Sequence, residues 1–255
     1  IAPDDKVKAF ICTQDLKDEE YINSHYVIMA TKNGQVKKTP LEQYSRPRTN
    51  GINAITIKDN DELLEAKLTT GDSQVMLALG SGKAIRFEEG KTRPMGRNAS
   101  GVRGITLAHK DDQVIGMIAV NDAESDILVV SENGYGKRST LEDYRITNRG
   151  GKGVKTINVT EKTGNLVAIK VVMDVDDLMI INKSGIAIRM AVADLRVMGR
   201  ATQGVRLIKV REGDSIAAVA KVMHDDDEIE ELEGDADTED GTTLDNDESQ
   251  TEIQE

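Results

Sequence analysis

The chain reads as all-β, a repeat array of propeller or solenoid type, on three observations. A glycine turn recurs four times, at Lys32-Asn33-Gly34, Gly80-Ser81-Gly82, Glu132-Asn133-Gly134 and Lys183-Ser184-Gly185. A second recurs behind it at Gly51, Gly101, Gly153 and Gly204, spaced 50, 52 and 51 residues apart. Between them lie short β-branched runs such as Val114–Val120 and Ile127–Val130. A fixed period of this length marks one supersecondary module that buries its faces against its neighbours.

Each unit divides into four strands. The opening strand is Val7–Phe10, Leu63–Ala66, Val114–Met117 and Leu166–Ile169, with a fifth copy at Ile216–Val219. The second and third strands flank the first glycine turn, as Ile127–Val130 and Tyr135–Ser139 do in the third copy. Asn-Gly at 33–34 and 133–134 is a strong hairpin signal, because that turn favours φ > 0 at both central residues. A loop of about a dozen residues then leads through the second turn into a strand ending at Ile55, Ile105, Ile157 or Ile208. Extra residues near Lys17–Ser24 in the first copy read as a loop.

The expected boundaries are units at about 1–55, 56–105, 106–157 and 158–208 with a closing strand at 209–223, one β body over 1–224, and a tail over 225–255. Five openings accompany four bodies, so the last strand is expected to complete a blade begun upstream, leaving an exposed edge on the N-terminal side. Residue 1 is Ile and the chain enters the repeat at its first strand, as a piece of a longer protein would.

With no Trp, two Phe and five Tyr, the core must be aliphatic. The single cysteine, Cys12, cannot form an intrachain disulfide and is expected to be a buried bystander in a reducing cytoplasm. No window approaches the ~18 consecutive apolar residues of a membrane helix. The formal charge of −12 is concentrated at the end, where Asp225–Glu255 holds 16 acids and no Lys or Arg. Taking those 16 from the 45 acids leaves 29 against 33 bases, so the body is mildly basic at +4. Such a tail is expected to be disordered and to compete with any anionic ligand of the body.

The bases share a register. Lys38, Arg86, Arg138 and Arg189 stand four residues after the first-turn glycine, with Lys37 and Lys137 beside two of them. Arg93, Arg145 and Arg196 lie eight residues before the second-turn glycine, and Arg97, Arg149 and Arg200 four before it. In the first copy Arg46 and Arg48 take their place. Arg103, Lys155 and Arg206 follow the second glycine by two, where the first copy has Asn53, and Lys152 precedes Gly153. Bases on turns suit phosphate contacts, which position a protein without reading sequence. Few aromatics interleave, which argues for duplex DNA over single strands or RNA. The rival reading is a protein-interaction platform on which the bases are incidental.

Ala30–Thr39, Met95–Ile105, Glu132–Arg138 and Val197–Val205 carry a resemblance covering essentially 1–223: the sequence resembles the C-terminal domain of bacterial DNA gyrase A. The resemblance implies a β-pinwheel whose blades exchange strands and whose basic perimeter wraps duplex DNA. It implies partnership with the rest of gyrase A and with gyrase B in a heterotetramer. ATP and Mg are implied for the whole enzyme only, with no cofactor and no catalytic residue in this segment. The family's Gln-Arg-Arg-Gly-Gly-x-Gly box is absent, and Asn148-Arg149-Gly150-Gly151-Lys152-Gly153 echoes only part of it. Without that box, the related domain of topoisomerase IV stays open as an alternative.

Active-site chemistry is not suggested elsewhere. His25, His109 and His224 are scattered, and the Gly-Lys turns do not fit G-x-x-x-x-G-K-[ST]. Asp59–Asp61 and Asp174–Asp177 lack the glycine and distal Glu of a calcium loop. Tyr144, in a loop position that Tyr44 shares, is expected to pack rather than react.

Overall fold

A computed structural model describes residues 6–223. The tail and its expected competition for the bases lie outside the described residues. Four antiparallel hairpins anchor the fold: β1 (Tyr26–Thr31) with β2 (Gln35–Pro40), β4 (Gln74–Leu79) with β5 (Lys83–Glu88), β8 (Asp126–Ser131) with β9 (Tyr135–Thr140), and β12 (Asp176–Asn182) with β13 (Ala187–Ala191). The opening strands are β3 (Leu63–Thr69), β7 (Val114–Val120), β11 (Leu166–Val172) and β15 (Ile216–Met223), and the second-turn strands are β6 (Val102–Arg103), β10 (Val154–Lys155) and β14 (Val205–Arg206).

Each hairpin is completed by strands of the following repeat. The sheets run β3-β1-β2-β6, β10-β5-β4-β7, β11-β8-β9-β14 and β13-β12-β15. Main-chain bonds outside the ladders repeat the exchange. The carbonyl of Gly34 accepts from Gly104 and Ile105, that of Gly82 from Thr156 and Ile157, and that of Gly134 from Leu207 and Ile208. A third repeat is drawn in at the tips of the first three hairpins, since Val114, Leu166 and Ile216 donate to the carbonyls of Lys32, Gly80 and Glu132.

This exchange corrects three expectations. The fifth opening strand, β15, completes the fourth hairpin's own sheet rather than a blade begun upstream. Within the described residues the three-stranded sheet is the last one, and its β13 is largely accessible where β2 and β9 are buried. Both flanking segments of the first repeat, Val7–Phe10 and Ile52–Ile55, are irregular, and among the described residues no hairpin precedes them to take them up. Cys12 lies in that first segment's continuation and is exposed.

The alternation of the strands explains how thin sheets make a core. Val75, Leu77 and Leu79 of β4 pack with Ile28, Ala30 and Val36 of the first sheet, while Met76 and Ala78 face Ile127 and Val129 of the third. Leu128 and Val130 point the other way, to Leu178 and Ile180. Successive sheets therefore meet face to face, each side using every second residue. The outer face of the first sheet, Val27 and Met29, is covered by Ile22 on α1 (Glu19–Ser24). That helix replaces the expected loop: Asp18 caps it by accepting from the N–H groups of Glu20 and Tyr21, with two acids in its first turn.

Candidate nucleic-acid interface

The structure sorts the bases into two sets. Those four residues past the first glycine, with Lys37 and Lys137, stand on the second strand of each hairpin, which has a sheet on each face in the two inner hairpins and α1 on the outer face in the first. Lys37, Lys38, Lys137 and Arg138 are buried there, and a buried charge must find internal acceptors. Lys38 Nζ lies 3.0 Å from Glu89 Oε1 and 4.1 Å from the Tyr26 ring centroid. Half-buried Arg86 donates to the carbonyls of Leu141 (2.7 Å) and Tyr144 (2.8 Å) and to Gln74 Oε1. Arg138 pairs with Asp174 and, at 3.7 Å, with Asp126. Arg189, on the accessible β13, is exposed but bonded to Asp177 at 2.6 Å. Lys37 Nζ reaches the carbonyls of Ala54 and Arg97, and Lys137 Nζ that of Gly199, each at 2.5 Å. As phosphate contacts, Lys37, Lys38, Arg86, Lys137 and Arg138 are therefore corrected to internal anchors.

The second set sits on the turns. Arg46, Arg48, Arg93, Arg103, Arg145, Lys152, Lys155, Arg196 and Arg206 are exposed, and Arg97, Arg149 and Arg200 are half-buried. Among the described residues none of these twelve makes a salt bridge with a carboxylate.

Three joints between repeats share one contact. Arg97 Nη1 donates to the Asn53 carbonyl at 3.4 Å, Arg149 Nη1 to that of Arg103 at 3.0 Å, and Arg200 Nη1 to that of Lys155 at 2.9 Å. Each arginine thus bonds to the residue two past the second glycine of the preceding repeat, where Arg103 and Lys155 carry the next base. The arginines eight before that glycine are set by main chain. Pro94, Ile146 and Val197 form parallel bridges to Lys38, Arg86 and Arg138, placing Arg93, Arg145 and Arg196 one residue ahead of each bridge. In the third repeat Arg145, Lys152 and Gly153 line a groove of about 250 Å³ together with Arg86. In the first, Arg46, Arg48 and Arg97 line a hollow of about 380 Å³.

Two further residues went unread in the sequence. Gln43 and Asp143, each nine past a first-turn glycine, accept the backbone N–H of Arg97 (3.1 Å) and Arg200 (3.3 Å). Their common register was the available signal. Tyr144 packs as expected: it is buried, with its hydroxyl 2.5 Å from Thr156 Oγ1, and desolvation raises its pKa.

Residues 25–70, 80–121, 125–173 and 176–223 match the family model described as the DNA gyrase C-terminal domain, beta-propeller. The chain belongs to this family. Each matched segment ends on or just past the next repeat's opening strand, which follows the sheets rather than the glycine-to-glycine frame. The chain is 44% identical over 225 residues to the DNA gyrase A protein of Staphylococcus epidermidis, covering 88% of itself and 25% of that protein. It is 43% identical over 240 residues to the Staphylococcus aureus counterpart, covering 94% of itself and 26% of that protein. This gyrase domain thus spans about a quarter of the length of these relatives. A solved gyrase A C-terminal domain superposes with a TM-score of 0.71 at 24% identity, over 79% of this chain and 67% of that one. A topoisomerase IV C-terminal domain superposes at 0.74 and 24%, over 78% and 62%. At that identity the structural likeness is one of fold, and gyrase A is the kinship the sequence carries.

Proposed function

We propose that this gyrase domain binds duplex DNA without sequence preference and wraps it along the turn-borne bases. The observation that carries the reading is the division of the bases by burial: Lys37, Lys38, Lys137 and Arg138 are buried against internal acceptors, whereas nine of the twelve turn bases are exposed and none of the twelve has a carboxylate partner among the described residues. A repeated series of positive side chains without carboxylate partners suits a polyanion with a regular spacing of phosphates. Arginine forks and turn amides engage phosphate oxygens, which fixes the path of the duplex without reading bases.

By the same reading, wrapped DNA is presented to a strand-passage core in the rest of gyrase A, acting with gyrase B in a cytoplasmic, nucleoid-bound heterotetramer. ATP-driven negative supercoiling belongs to that assembly. The proposed contacts are Arg46, Arg48, Arg93, Arg97, Arg103, Arg145, Arg149, Lys152, Lys155, Arg196, Arg200 and Arg206, with Arg189 at the margin.

Charge reversal of Arg97, Arg149 and Arg200 together tests the reading. A folded triple variant should lose duplex binding in a filter or mobility assay. Retained binding would leave the protein-interaction platform as the better account.

A further inference from the structure

Lys37 and Lys137 are too deep to meet a ligand, yet each ends on the turn that carries a half-buried arginine. Lys37 Nζ donates to the carbonyl of Arg97 itself, and Lys137 Nζ to that of Gly199, the residue before Arg200. From the other side, Gln43 and Asp143 accept the N–H groups of the same two arginines. The backbone of Arg97 is held at both N–H and C=O, and that of Arg200 at its N–H and the carbonyl just before it. Each guanidinium then makes a single main-chain contact, at 3.4 Å for Arg97 and 2.9 Å for Arg200.

The middle joint is built otherwise. Ile85 stands where the lysines stand and Lys91 where Gln43 and Asp143 stand. There the guanidinium of Arg149 is itself tied down, Nε to the Lys91 carbonyl and Nη1 to that of Arg103, both at 3.0 Å. Where the lysine is present, the backbone is fixed and most of the fork is left available. Where it is absent, the fork does the fixing.

We propose that Lys37 and Lys137 are positioning residues of the DNA interface, presenting Arg97 and Arg200 with their forks available to phosphate. The proposal rests on the DNA-binding reading above. The electrostatics agree with the geometry: burial lowers both amines to about 8, with Arg97 adding to it at Lys37, while at Lys137 Asp143 opposes it and Arg200 adds a smaller lowering. A phosphate arriving at either arginine would favour the charged lysine behind it. The groups facing Lys37 are Arg97 and Tyr44, whose hydroxyl shares the Ala54 carbonyl, and those facing Lys137 are Asp143 and Arg200.

The test is a double-mutant cycle on duplex affinity with K137M, R200Q and the pair, at fixed pH and salt. R200Q should weaken binding about tenfold, the loss of one charge-assisted hydrogen bond. K137M should weaken it similarly, and the pair no further than either alone, because the lysine acts through the arginine. Losses that multiply in the pair overturn the proposal. An R200Q protein that binds normally overturns the interface reading beneath it. Should K137M not fold, a pH series needs no lysine variant. Affinity of the wild-type chain should fall between pH 7 and about 9.5 at constant ionic strength, as amines near 8 lose their protons, and that fall should vanish in R97Q/R200Q. The same fall in both proteins, or none in either, overturns the proposal.

Discussion

Arg200 donates from Nη1 to the carbonyl of Lys155, joining the second glycine turns of two successive repeats, and Arg149 does the same to Arg103. One side chain therefore serves both the joint and the proposed DNA track, and the two roles make separable demands. A lysine at 200 keeps the charge but loses the planar fork. R200K should retain most of the salt dependence of binding while lowering affinity several-fold, and thermal melting should shift only slightly, since a partly exposed hydrogen bond contributes about 1 kcal/mol. Isothermal titration with a DNA duplex and a melting curve separate the two effects.

Tyr144 and Tyr44 occupy matching loop positions with unequal burial. Removing the Tyr144 hydroxyl leaves Thr156 Oγ1 facing a fully buried site, so Tyr144→Phe should cost about 1–3 kcal/mol in urea denaturation. Tyr44→Phe should cost less, because the Ala54 carbonyl that its hydroxyl meets at 3.0 Å also accepts from Lys37.

Gly134 and Gly185 test the strand exchange. Both hold positive φ, +78° and +86°, which an L side chain adopts at a cost of about 1 kcal/mol. A Cβ on Gly134 would also lie 2.5 Å from the carbonyl oxygen of Ile208, supplied by the next repeat, whereas one on Gly185 meets nothing within 4 Å. Gly134→Ala should therefore lower the melting temperature clearly more than Gly185→Ala. Equal shifts would mean that the second-turn strand does not sit on the preceding hairpin.

The buried lysines give stability a pH dependence of definite sign. Their amines titrate near 8 in the fold, below the ordinary lysine value of 10.5 expected for the unfolded chain. Between those values the unfolded state binds more protons, so these two groups make stability rise with pH from about 8 to 10.5 and are least favourable below 8. K37M/K137M should lack this contribution. The stability difference between wild type and variant, followed by urea titration across that window, should move in the wild type's favour as pH rises.

The repeats were legible because glycine turns are a backbone requirement that sequence displays directly. Pairing was not, since Val102–Arg103 of one repeat joins Gln35–Val36 of the one before and no local pattern announces that partner. The bases were legible as a register but not as two populations. Lys37 and Arg97 look alike in sequence, and burial separates them: the β2 run from Val36 to Thr39 is covered on both faces, so polar residues there are buried with the apolar ones. A fold in which sheets stack on each face of an inner hairpin makes mid-strand bases such as Lys137 and Arg138 internal. Bases on the connecting turns escape this, and the proposed interface is drawn from them.

If the turn bases neutralise successive phosphates of a duplex, the salt dependence of binding measures it most directly. With about eight phosphates engaged, a plot of log affinity against log salt should fall with a slope on the order of −7. A flat plot would contradict the account.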